Sequence, residues 1–121
     1  MSKERKAIGK KGEELAADFL EACGYLILER NWRHGHFEID LIAQLGKQLV
    51  VVEVKTRKQH GDERPEELIS LAQQGSLIAA GEAYLQQLPE EDADLRFDLI
   101  IVSPSIQGGI RHIPYVFIPG L

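Results

Sequence analysis

Apolar positions in the first part of the chain recur at helical spacing. Leu15, Ala16, Phe19, Leu20 and Cys23 form one stripe, which predicts an amphipathic helix over Lys3 to Cys23 with Gly24 as its stop. Gly9 and Gly12 weaken its early turns, so the regular part is expected to begin later. Tyr25 to Arg33 reads as a first strand and His34-Gly35-His36 as the turn into a second. Phe37 to Lys55 then reads as two apolar strands into which Glu38, Asp40, Glu53 and Lys55 are set. Thr56 to Arg64 is polar and aperiodic, as expected of a mobile loop beside those strands. Pro65-Glu66-Glu67 opens a second helix. Its apolar side is assigned to Leu68, Leu71, Ala72, Gly75, Ile78, Ala79 and Leu85, and Gly75 and Gly81 allow close packing on the sheet. Pro89 to Asp94 is an acidic loop, and Arg96 to Val102 and Ile110 to Ile118 are strands joined through Pro104 and Gly108-Gly109. Helix, three strands, helix, strand, strand is the order of an α/β domain whose helices cover a mixed sheet.

The two charged strands carry a geometric expectation. Gly46 and Lys47 can form the two-residue loop of a hairpin, with Gly first as a type II′ turn prefers. That register sets Asp40 opposite Glu53 and Glu38 opposite Lys55. Alternation groups Val51, Glu53 and Lys55 on one face, and Glu38, Asp40 and Ile42 together, opposite Ile39, Leu41 and Ala43. Opposed like charges repel unless something neutralises them. A divalent cation, a shared proton or the ammonium of Lys55 would do so.

Composition narrows the setting. With 121 residues, 44% of them hydrophobic, the chain is expected to form one domain over residues 1–121. No apolar run approaches membrane-spanning length and no apolar signal core follows Met1 to Lys6, so a soluble cytoplasmic protein without a membrane partner is expected. The single Cys23 builds no disulfide framework. The net charge of −5 argues against tight nonspecific binding to nucleic acid. Its distribution softens this: residues 1–60 hold 11 Lys or Arg against 9 Asp or Glu, and residues 61–121 hold 3 against 10.

Phosphodiester hydrolysis needs an activated water and stabilisation of the charge that builds on the phosphoryl oxygens. Mg²⁺ or Mn²⁺ held by one or two carboxylates supplies both. Asp40, Glu53 and the Val54 carbonyl are the candidate ligands, with Glu13 contributing through a water. Asp40, Glu53 and Lys55 are the candidate catalytic groups, with Lys55 orienting the water or countering negative charge. Glu13 falls at the flank of the helix stripe and leans toward the sheet, whereas Glu14 falls on the far side and faces water. Lys10, Lys11, Arg33, Arg57 and Lys58 are candidate contacts to a nucleic-acid backbone. Trp32 could stack on a base, although a lone aromatic beside a strand belongs more often to the core. His34 and His36 are read as a solvated turn, and Asp98 as structural.

Four segments carry a family resemblance: Gly9 to Ala16, Gly24 to Arg33, Glu38 to Ala43 and Val52 to Arg57, extended by Arg96-Phe97-Asp98. Together they resemble the YraN family of uncharacterised bacterial proteins. The resemblance implies the restriction-endonuclease-like PD-(D/E)XK fold, with an αβββαβ core and a mixed sheet flanked by helices. More distantly the chain is similar to archaeal Holliday-junction resolvases. There a helix Glu joins an Asp and a Glu-x-Lys around a metal, and Glu13, Asp40, Glu53 and Lys55 take those roles by comparison. Two positions depart from the family pattern: Phe37 stands where Gly usually precedes Glu-Ile-Asp, and Gln73 and Gln74 stand near a frequent helix Lys.

The leading expectation is a Mg²⁺- or Mn²⁺-dependent endonuclease acting on DNA, at branched or damaged sites, and enzymes that cut two strands often act as homodimers. The alternative is a nucleic-acid-binding module on the same fold that does not cleave. A third reading makes Glu38, Asp40, Glu53 and Lys55 a self-satisfied ion network.

Overall fold

A computed structural model of the chain describes residues 3–61, 63–89 and 93–120, with the Glu66 side chain left aside. The elements are α1 (Lys3–Ala22), β1 (Leu26–His34), β2 (Phe37–Leu45), β3 (Gln48–Thr56), a short 3₁₀ turn (Pro65–Leu68), α2 (Leu71–Gln86), β4 (Asp94–Val102) and β5 (Ile110–Ile113). The strands form one five-stranded sheet in the order β1-β2-β3-β4-β5. β3 and β4 run parallel through the α2 crossover, and every other pair is antiparallel. This mixed sheet between helices is the α/β architecture read from the chain, consistent with a restriction-endonuclease-like αβββαβ core. The middle of the acidic loop, Glu90 to Asp92, lies outside the described residues.

Each helix covers one apolar face. α1 buries Ala16, Ala17 and Leu20 against Leu41, Val50, Val52 and Ile100. α2 buries Leu77, Ala80 and Tyr84 against Ile42, Val51, Phe97 and Leu99. Trp32 packs into this second core, its ring edge-on to Tyr84 at 5.1 Å, and is thus a core residue.

α1 is regular from Lys3, contrary to the later start expected from Gly9 and Gly12. Gly12 serves a close approach: a Cβ built there would press on Thr56 Oγ1 at the end of β3. Leu15 and Cys23 fall outside the buried stripe and are exposed. The second helix also differs from expectation. Pro65 opens only the 3₁₀ turn, Ile69 is buried, and α2 begins after Ser70, whose hydroxyl accepts from the Gln73 N–H at 3.1 Å. Its buried side is Leu77, Ala80, Gly81 and Tyr84, about one residue (roughly 100° of rotation) away from the side assigned, and Leu71 is 84% exposed. α2 is apolar or small nearly all round, so spacing alone cannot select the face. Gly81 does sit tight against Leu95 and Val51, whereas Gly75 faces open space. β5 ends at Ile113 rather than Ile118, because Pro114 has no N–H for the ladder and Tyr115 turns left-handed at φ 53°.

Behind the sheet, on the α1 face, Arg96 grips Asp98 bidentately at 2.8 and 2.7 Å. Arg96 also donates to Gln48 and to the Tyr25 hydroxyl, while His112 Nε2 and the Tyr115 N–H reach Asp98. These partners, His112 and Arg96 foremost, outweigh the cost of burial and hold the Asp98 carboxyl below its usual range. Every oxygen of Asp98 is occupied, so the residue is structural, as its strand position suggested.

Candidate metal and hydrolytic centre

The β2–β3 hairpin turns at Gly46, whose φ is 60° while Lys47 stays at negative φ, the pattern of a type II′ turn. The ladder pairs Leu45 with Gln48 through Leu41 with Val52. Continued by one step, this register would set Asp40 opposite Glu53, but the ladder stops there. Asp40 Oδ2 instead accepts the Val54 N–H at 2.8 Å, so the carboxylate takes the place of a strand partner. The strict alternation expected of β2 breaks at the same point: Ile39 packs in the α2-side core with Ile42, while Leu41 and Ala43 pack under α1. Asp40 therefore lies within the sheet, where groups from both faces reach it.

The carboxylates converge there. Glu53 is buried and lies against Asp40, and Lys55 Nζ stands 3.6 Å from Glu53 Oε1. Burial first, and then the adjacent Glu53 charge, push the Asp40 carboxyl up to about 8 against the Val54 N–H that favours the anion. Glu53 is also raised by burial, in spite of Lys55 and of a hydrogen bond from the Gln73 side chain. Glu13 reaches in from α1 and is raised by burial and by Asp40 and Glu38, with Asn31 working the other way. Glu14 is exposed, as expected.

Glu38 does not meet Lys55 as the extrapolated hairpin required. With the ladder ended, Glu38 turns toward β1, accepts from Asn31 Nδ2 at 2.8 Å and stands 3.4 Å from Arg33 Nη2. The closed network of Glu38, Asp40, Glu53 and Lys55 is thus not formed. Glu13 and Glu53 instead both adjoin Asp40, with Lys55 Nζ beside Glu53.

A groove of about 900 Å³ opens along this centre. It is lined by Arg5, Ile8 and Glu13 of α1, by Glu53, Val54 and Lys55 of β3, and by Arg57, Lys58 and Pro104. The segment after β3 is tied at its start to the end of β4 and the connection that follows it. Arg57 N–H donates to Val102 O, Ser103 Oγ to Lys58 O, and His60 N–H to Ser105 Oγ. Asp62 lies outside the described residues. Of the candidate backbone contacts, Arg57 and Lys58 line this groove, and Lys10 lines a smaller recess shared with Glu13, Arg30 and Asn31. Lys11 and Arg33 are exposed and line neither. His36 is exposed in the β1–β2 turn, whereas His34, also exposed, is not part of that turn as expected but ends β1, paired with Phe37 and stacked on Trp32.

Spacing and alternation did not reveal Asn31 or Gln73. Asn31 is a polar residue interrupting a strand run, and Ser70-x-x-Gln73 has the form of a helix start. Those were the available signals.

Among the described residues no three His, Cys, Asp or Glu side chains close a metal cage by themselves. The donor set fits a looser mode: Asp40 and Glu53 as oxygen ligands beside Val54, with the remaining positions left to water, as Mg²⁺ prefers. The crowding of carboxyl groups at one place is the observation that favours a cation here.

The model of the uncharacterised protein family UPF0102 matches residues 12–102. A UPF0102 protein of Bacteroides thetaiotaomicron is 41% identical over 119 residues, 98% of each chain. Another, from Symbiobacterium thermophilum, is 43% identical over 106 residues, 88% of this chain and 90% of its own. One from Chloroherpeton thalassium is 43% identical over 96 residues, 79% of this chain and 74% of its own. The matched span contains Glu13, Asp40, Glu53 and Lys55. The chain therefore belongs to the uncharacterised family UPF0102, the YraN family whose residues it resembles.

Proposed function

We propose that the protein is a divalent-metal-dependent nuclease that hydrolyses DNA phosphodiester bonds in the groove over β3. The observation that carries this reading is the meeting of Asp40, Glu53 and Glu13 beside Lys55. Mg²⁺ or Mn²⁺ on Asp40 and Glu53 would neutralise their repulsion, polarise a phosphoryl oxygen and acidify a bound water. Lys55, held by Glu53 at 3.6 Å, orients the attacking water and counters charge on the phosphoryl oxygens. The Val54 N–H fixes the Asp40 carboxylate, so this group needs no reorganisation when substrate arrives. Arg57 and Lys58, on a segment tied down through Ser103 and Ser105, hold flanking phosphates. Cations lining one groove reconcile a polyanionic substrate with a net charge of −5.

The test uses purified protein with Mg²⁺ or Mn²⁺ against single-stranded, duplex and four-way-junction DNA, beside Asp40→Ala and Lys55→Ala. Cleavage by the wild type, abolished in both variants, is expected. Binding without cleavage would make the chain a nucleic-acid-binding module, and neither binding nor cleavage would end the nucleic-acid reading altogether.

A further inference from the structure

We propose that Asn31 is a positioning residue of this centre: its side-chain amide holds the Glu13 carboxylate beside Asp40. The inference rests on the hydrolytic reading above and adds a residue that this reading does not use.

Asn31 lies between the β1–β2 pairs Arg30 with Leu41 and Trp32 with Ile39, which sets it at the register position of Asp40. There its backbone leaves the strand conformation and turns left-handed, with φ 52°. Asn tolerates that region better than most residues, and a side chain held in it inside a strand marks a local demand on its direction. The demand is visible in its contacts. One nitrogen, Nδ2, donates to Glu13 Oε1 and to Glu38 Oε1, each at 2.8 Å. Both amide hydrogens are thereby used, one on a carboxylate from α1 and one on a carboxylate from β2.

Glu13 needs such a donor. Its side chain is long, it projects from a helix, and its acidic neighbours are Asp40 and Glu38. Without the amide, repulsion and rotamer freedom both favour swinging the carboxylate out toward solvent. Glu38 has a second partner in Arg33 and depends on Asn31 less. Asn31 thus acts through Glu13.

The experiment compares wild type, Asn31→Gly, Glu13→Gln and the double variant, with two readouts. In metal-free protein, the side-chain carboxyl ¹³C signal of Glu13 is recorded. In Mn²⁺ titrations, affinity is measured without nucleic acid. Gly accepts positive φ, so Asn31→Gly is expected to keep the fold while removing the amide. The Glu13 signal should move to the position of the exposed Glu14, and Mn²⁺ affinity should fall about tenfold or more, the usual scale for losing a group that orients a ligand. The loss should match that of Glu13→Gln and not add to it in the double variant. An unmoved Glu13 signal, or additive losses, would overturn the proposal. Should the wild type bind no Mn²⁺, the hydrolytic reading fails, and the Glu13 signal alone decides whether Asn31 holds Glu13. If Asn31→Gly does not fold, Asn31→Asp, which tolerates the same backbone and donates no hydrogen, serves the Glu13 readout, an unmoved signal again overturning the proposal; its added carboxylate is itself a Mn²⁺ ligand, so the affinity readout is not used for it.

Discussion

At the scale of single residues, Asp40 holds the most consequential position. Its oxygen replaces a strand partner for Val54, and its carboxyl is raised from an ordinary 3.8 to about 8. A group raised in the folded state binds its proton more tightly there than in the unfolded chain. Its contribution to stability is complete below the unfolded value and is lost as pH rises through the folded one. Glu13 and Glu53 are shifted the same way. Metal-free protein should therefore lose urea resistance between about pH 5 and about pH 9, while Mg²⁺ or Asp40→Asn should flatten that decline. A denaturation series with and without chelator reads this directly, and a flat profile in the metal-free wild type would contradict the assigned crowding. The nearness of Asp40 to Glu53 was legible because the Gly46-Lys47 turn sets the register as far as Leu41 with Val52, although the two meet beyond the end of the ladder and not as an opposed strand pair. Pairing of Glu38 with Lys55 was not realised, because it assumed a ladder continuing past Leu41. A side chain that captures a backbone N–H ends a ladder, and no periodicity reports that.

At the scale of elements, the delivery of Glu13 depends on how closely α1 approaches β3. Ala ordinarily exceeds Gly in a helix by about 1 kcal/mol. At Gly12 the sign should reverse, since the added methyl would press on Thr56 Oγ1. Gly12→Ala should destabilise by about 1–3 kcal/mol, the usual cost of overpacking, and should displace Glu13 next to it. Thr56→Ala in the same chain removes the obstructing hydroxyl and should recover most of the loss in a urea titration. Stabilisation by Gly12→Ala alone would refute the close approach. Element order was plain from the hydrophobic pattern, because strands and helices differ in period. Faces and ends were less so. α2 has apolar or small residues on several sides, so its orientation is decided by what Gly81 and Tyr84 meet on the sheet. β5 stops at Pro114 for want of a donor, which the Ile110 to Ile118 run concealed.

At the scale of the whole molecule, two ionic clusters lie at different places along the sheet. Behind β4, the Arg96–Asp98 pair, sandwiched by Tyr25 and Tyr115 and joined by Gln48 and His112, ties β3, β4 and β5 together with every buried polar group satisfied among the described residues. At the start of β2 and the end of β3, Asp40 and Glu53 are crowded together, with Lys55 beside Glu53 and a groove lined by Arg5, Arg57 and Lys58 alongside. The first cluster pairs its buried carboxylate with a guanidinium, whereas the second gathers carboxyl groups whose pKa values burial raises. Among the described residues no helix is long and apolar enough to cross a membrane. The most direct measurement is single-turnover cleavage of end-labelled DNA in Mn²⁺ by the wild type and by Lys55→Ala, with binding of the same DNA followed in parallel. The wild type should cut, and the variant should bind comparably but cut about 100-fold more slowly or worse, the scale expected for losing a group that acts on the proton or charge of the reacting water. Equal cleavage rates, or no cleavage by the wild type of single-stranded, duplex or branched DNA, would contradict the account.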